Sequence, residues 1–135
     1  MGDIVCPLNF GRYENGILFC RPTGRLTPEL AECMSDCHEA HRRLLGRSYD
    51  MFYDFRGLSG EELNFEKIHN LAAKRSKSAA EGGTCKIAIL VTSPHAFGLA
   101  RMYQSLITSK NINIKISSDP SELAEFLGID EVLLG

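Results

Sequence analysis

Cys33, Cys37 and His41 stand at four-residue intervals, with His38 beside them. On a helix that spacing puts three soft donors on one face, the start of a zinc or copper site. A compact tetrahedral site draws on more than one segment, and no Cys-x-x-Cys pair lies elsewhere in the chain. The same residues also fall on an apolar stripe, where cysteine behaves as a small hydrophobe. The expectation is no metal and no cofactor, with His41 a core histidine against the sheet.

Ser93-Pro-His95 and Asp54 offer a Ser–His–Asp set. Such a set needs the base within about 3 Å of the nucleophile. Ser93 and His95 are two residues apart, Ser93 is committed as a helix cap, and no Gly-x-Ser-x-Gly elbow is present. The expectation is that the chain is not an enzyme. A small anion on the N-terminus of the helix after Ser93 fits the free N–H groups there better. In the next turn, Phe97-Gly-Leu-Ala-Arg-Met-Tyr103 places Gly98 inside a helix, at a cost of about 1 kcal/mol relative to alanine. With Ala100 it reads as a place of close packing. Arg101 and Gln104 point outward and Tyr103 is partly buried, a composition that suits an interface. Lys67, His69, Lys74, Arg75 and Lys77 make a positive face without aromatic platforms for bases. This reads as solvated surface, and no nucleic acid is expected.

These residues must be held by a framework, and the chain spells it out. Thr27-Pro28, Ser93-Pro94 and Asp119-Pro120 each pair an N-cap side chain with a proline suited to the first helical position. Ser59-Gly-Glu-Glu62 reads as a capping box for a further helix. The predicted helices cover roughly 28–45, 62–80, from 94 through Ile107, and 120–127. In the first, Leu30, Cys33, Met34, Cys37, His41 and Leu44 form the apolar stripe, and Gly46 stops it. In the second, Lys67, Lys74, Arg75 and Lys77 point outward, and Gly82-Gly83 breaks it.

Strands fill the gaps. Residues 8–13 and 17–21 flank Asn15-Gly16, which predicts a hairpin with a type I′ turn. Met51–Asp54 is a short third strand. Lys86–Val91 is a continuous apolar run, as in a central strand covered on both faces. Ile112, Ile114 and Ile116 alternate with polar residues. The order ββαβαβαβα gives an α/β domain over residues 1–135, with a five-stranded mixed sheet, an N-terminal antiparallel hairpin and four helices.

Composition sets the bounds. The chain has 135 residues, 44% of them apolar and 24% charged, and a net charge of −2. That is ordinary for one globular domain and gives no field for nucleic acid or an anionic membrane. Five cysteines, at 6, 20, 33, 37 and 85, leave one over from any full set of intrachain disulfides. No secretory signal and no transmembrane segment is visible, so a cytoplasmic protein with reduced thiols is expected.

Three stretches carry a resemblance. Ile17–Leu30 resembles the second strand and first helix start of the STAS fold of the anti-sigma-factor antagonists. Met51–Leu58 is similar to that fold's third strand, and Asp119–Gly128 to its closing helix. Ala96–Gln104 further resembles small bacterial STAS-like proteins, mostly of unassigned function. The resemblance implies a non-catalytic regulatory module that binds a protein partner. The sporulation-type antagonists are switched by a phosphoserine in an Asp-Ser-Ser-Gly loop at the start of the second helix. The matching residues here, Glu61-Glu-Leu-Asn64, carry no hydroxyl, so the switch is not expected. The expected working surface is the rim at the carboxyl ends of the strands: Asp54, Arg56, Ser59, Glu62, Ser93, His95, Phe97, Gly98, Arg101 and Tyr103. A homodimer is expected, to cover an exposed sheet edge. The alternative is a carrier or sensor, holding a small apolar or anionic ligand near Phe97 and Tyr103.

Overall fold

Three of the four helices begin where cap and proline place them. A computed structural model describes residues 9–13, 15–46 and 49–135. Cys6, and Leu8 at the predicted start of the first strand, lie outside them. Helix α1 (Pro28–Leu45) has Thr27 as N-cap, α3 (Pro94–Leu106) has Ser93, and α4 (Pro120–Leu127) has Asp119. In each, the cap side chain accepts a backbone N–H of the first turn. Gly46 closes α1 in the left-handed region at φ 72°, which glycine adopts without penalty.

Helix α2 (Phe65–Gly82) begins later than the capping box predicts, and its N-cap is Asn64, whose Oδ1 accepts the N–H of Lys67. Ser59 is no cap: it lies in a strand, β5 (Leu58–Glu61). That strand pairs in parallel with β3 (Gly24–Leu26), just ahead of α1. Neither was expected, because both are short and one holds two glycines or polar residues for each apolar one. Their backbones satisfy each other, with Gly24 N–H donating to Gly57 O and Glu62 N–H to Leu26 O.

The main sheet has the expected five strands: β1 (Phe10–Arg12), β2 (Leu18–Cys20), β4 (Met51–Asp54), β6 (Cys85–Leu90) and β7 (Ile112–Ser117). Their spatial order is β1-β2-β4-β6-β7, antiparallel between β1 and β2 and parallel elsewhere. The hairpin turn differs from type I′. Tyr13 N–H donates to Ile17 O, so three residues and not two separate the paired positions, and Gly16, at positive φ, donates its N–H to Tyr13 O.

Alternation along the strands sends side chains to two separate cores. Leu18, Met51, Ile87 and Ile89 pack with Ala31, Met34, Ala79, Ala96 and Ala100, so α1, α2 and α3 cover one face. Phe52, Ala88 and Leu90 pack with Leu123, Leu127 and Leu134 on the other, under α4 and a closing 3-10 turn, Glu131–Leu134. The stripe of α1 is rotated from its predicted position. Ala31, Met34 and His38 are its buried residues, while Leu44 is 81% exposed. The core histidine is His38, 2% exposed, and not His41, whose ring lies 4.7 Å from that of Phe10. No helix among the described residues is long and apolar enough to cross a membrane.

Candidate functional site

Between the sheet and its three-helix face lies a half-enclosed cavity of about 100 Å³. Tyr53 and Ile89 form its floor, Met34, Leu71 and Ala100 line its walls, and Leu26, Glu61 and Leu63 form its roof. The β3–β5 ribbon builds that roof, so the two elements that sequence reasoning missed are the ones that close the site. Its two ends differ in charge.

At the rim, Glu61 is the organising residue. Its side chain is 8% exposed. Ser93 Oγ donates toward its Oε1 at 3.4 Å, and His95 Nδ1 lies 3.4 Å from its Oε2. Ser93 and His95 therefore share a carboxylate rather than pairing with each other, and no Ser–His–Asp array forms. His95 is 62% exposed. Glu62 points the other way and pairs with Arg25 at 2.9 Å. Along α3, Arg101 lies over the Phe97 ring at 5.2 Å. A methyl group at Gly98 would meet no atom within 4 Å. Close packing is thus not the reason for Gly98, and the position is open surface.

At the deep end stand Arg75, Tyr103, Tyr53 and His38. Arg75, expected to point outward, is 6% exposed. It stands beside Tyr103, and its Nη1 lies 3.8 Å from Glu39 Oε2. Its Nε is buried and has no hydrogen-bond partner among the described residues. Burial raises the Tyr53 and Tyr103 phenols above their usual range. Burial, and then the charge of Arg75, hold His38 well below the usual histidine range, so it is neutral. Its Nδ1 lies 3.4 Å from Tyr53 Oη.

Elsewhere on the predicted positive face, two lysines share one carboxylate. Lys67 and Lys74 both bond Glu32 of α1. Cys33, Cys37 and His41 remain on one helix, and His41 Nδ1 lies 2.9 Å from Cys37 O. Among the described residues, no group of three His, Cys, Asp or Glu side chains is close enough to hold a metal ion.

Asp54 and Arg56 lie on the opposite face of the sheet. Asp54 is buried, takes Arg56 Nε and Nη2 at 3.0 and 2.8 Å, and faces Arg21 at 3.5 Å. Burial pushes the Asp54 carboxyl up, but the hydrogen bonds and charges of Arg56 and Arg21 outweigh it and hold the group below its usual range. Arg56 also donates to Leu134 O at 2.8 Å, and Arg21 to Leu133 O at 3.2 Å. This cluster ties the closing 3-10 turn to the sheet. The predicted rim is therefore divided: Ser59, Ser93, His95, Phe97 and Tyr103 lie on the cavity side, Asp54 and Arg56 across the sheet from them.

Sequence reasoning missed Glu61 and Arg75 as site residues. For Arg75 a signal was present: it stands on the same helical stripe as Ile68, Leu71, Ala72 and Ala79.

No protein-family description matches the chain, and no curated relative does. Solved structures do. The unphosphorylated form of the anti-sigma factor antagonist SpoIIAA superimposes with a TM-score of 0.55 at 14% identity, over 90% of this chain and 99% of that one. An uncharacterized protein from the DUF3478 family of Shewanella loihica, with a SpoIIAA-like fold, matches with a TM-score of 0.60 at 19% identity, over 94% of this chain and 98% of that one. The chain has a SpoIIAA-like, that is STAS-like, fold. At such identity the likeness extends to the fold alone.

Proposed function

We infer that this chain is a non-catalytic regulatory module that binds a protein partner, built on the anti-sigma-factor-antagonist fold without a phosphoserine switch. The observation that carries this reading is the gathering of Ser93 and His95 on Glu61. It joins β5 to the first turn of α3 in one polar face. Ser59, His95, Gly98 and Arg101 are exposed on this side of the molecule, and Glu62 is exposed next to it, paired with Arg25. At the start of α2, Glu61 to Asn64 offer no hydroxyl, and two carboxylates would repel a phosphate. The reading includes the cytoplasm as the location, and a homodimer, since β1 and β7 end the sheet as edge strands. Sedimentation at equilibrium checks the dimer, and a monomer mass at high concentration overturns it.

Charge reversal tests the surface. Arg101→Glu and Glu62→Lys change exposed residues, so stability should stay within about 0.5 kcal/mol. Partner binding should weaken at least about tenfold, in line with truncated interface anchors. A partner bound equally well by both variants overturns the assignment.

A carrier or sensor of a small ligand is the second reading, favoured by the cavity between sheet and helices. Native mass spectrometry of gently purified protein tests it through an adduct that denaturation removes. Cargo that binds only the folded state should also raise the melting temperature.

A further inference from the structure

We propose that the cavity is a binding site for a small organic monoanion with an apolar body, its acid group held by the Arg75 guanidinium beside Tyr103. The proposal rests on the ligand-binding reading of the cavity and specifies the chemistry it would select.

Arg75 is the first ground. A buried cation is stable only when its donors are answered. This one borders the cavity with its Nε buried and unanswered among the described residues. An orphaned buried donor calls for a missing acceptor. The guanidinium presents its donors as a planar fork that matches the two oxygens of a carboxylate. Nη1 faces Glu39, so the Nε side is the one without an acceptor among the described residues.

The charge balance points the same way. Glu39 is held closely by Arg42, at 2.6 Å, and by Ser78, at 2.6 Å, and only distantly by Arg75, at 3.8 Å. Neither neighbouring phenol carries a charge that could answer Arg75, and His38 beside them is neutral. Glu61 is too far to do so. It stands by the first turn of α3, and Tyr103 lies seven residues beyond Ala96, about 10 Å along the helix.

The walls set the rest of the ligand. Between the two ends the lining is Met34, Leu63, Ile68, Leu71, Leu99 and Ala100, all apolar. The volume is about two-thirds of a cavity of about 150 Å³ that takes benzene. A short chain fits with one end at the half-open mouth, whereas a ring that needs the larger cavity, and a sterol, do not. Glu61 at the far end disfavours a second acid group.

A matched series on the full chain tests this: hexanoate, 1-hexanol and hexylamine, titrated by calorimetry into the wild type, Arg75→Met and Ala100→Leu. Hexanoate should bind the wild type at least tenfold more tightly than hexanol, and hexylamine more weakly than either. Arg75→Met should abolish the preference for the acid. Ala100→Leu keeps the guanidinium but fills the cavity, and should weaken hexanoate at least tenfold. If Arg75→Met does not fold, the wild-type ratio and Ala100→Leu still decide. Equal binding of hexanoate and hexanol, or tighter binding of hexylamine, overturns the role of Arg75 and leaves an apolar carrier. Hexanoate binding unchanged in Ala100→Leu places the acid outside the cavity and also overturns the proposal. No binding of any probe at millimolar concentration overturns the proposal and the ligand-binding reading together.

Discussion

His38 and Arg75 are neighbours under the helices, and the charge of Arg75 adds to burial in holding His38 neutral. Burial works against a charged His38, and Arg75, His41 and Arg42 all add repulsion. Tyr53 faces it with a hydroxyl and no charge. The folded protein therefore binds the His38 proton only well below the usual histidine range, while the unfolded chain binds it near pH 6.5. Between those two points unfolding takes up a proton. His38 thus favours the folded state fully above about pH 6.5, and that stability is lost as pH falls below it, by up to about 1.4 kcal/mol per pH unit. Urea denaturation of wild type and His38→Leu between pH 5 and 7 checks this. The wild-type curve should fall toward pH 5, and the variant curve should be flatter. Equal slopes would show that His38 titrates normally in the folded state. Composition and spacing placed a histidine on the apolar face of α1, but the choice between His38 and His41 needed the rotation of the helix against Phe10 and Tyr53.

At the scale of the element, the caps of α1, α3 and α4 were legible because capping is local. The cap, the proline and the N–H that bonds the cap all lie within four residues. The start of α2 was misplaced for the same reason. Ser59 with Glu62 satisfies the capping-box pattern, but the helix is capped by Asn64. The partner strand β3 decides between them. By accepting and donating backbone bonds it holds Leu58–Glu61 extended, and only Asn64 remains to cap the helix. Asn64→Ala should then cost about 1 kcal/mol. Ser59→Ala, on an exposed strand residue, should change stability by less than about 0.5 kcal/mol. Chemical denaturation of the two variants separates the assignments, and the reverse order would restore the capping box. The same ribbon delivers Glu61 to Ser93 and His95, so an element invisible to periodicity positions the candidate site.

At the scale of the whole molecule, the sheet divides the labour. One face carries three helices and the cavity. The other carries α4 and the closing 3-10 turn, anchored by Asp54, Arg56 and Arg21. Leu134 is fully buried there against Phe52, Leu90 and Leu123. Leu134→Ala should cost about 3 kcal/mol, as for other buried leucines cut to alanine. The cavity lies across the sheet, so any ligand affinity should be unchanged in that variant under conditions where it is folded. A stability loss below about 1 kcal/mol would mean that the turn does not pack as described.

The amino-acid sequence by itself determined the helix starts at Thr27, Ser93 and Asp119, the five strands of the main sheet and its mix of one antiparallel hairpin with parallel strands. Those features depend on caps, β-branched runs and connection lengths, all of which act over a few residues or follow from chain handedness. Only the tertiary structure decided which face each strand end serves. A one-residue step along a strand reverses the side, so Tyr53 enters the cavity floor while Asp54 joins the opposite cluster. It also decided that Arg75 is buried, because whether a charge on a helical stripe meets water or a neighbouring helix depends on how α1, α2 and α3 pack together.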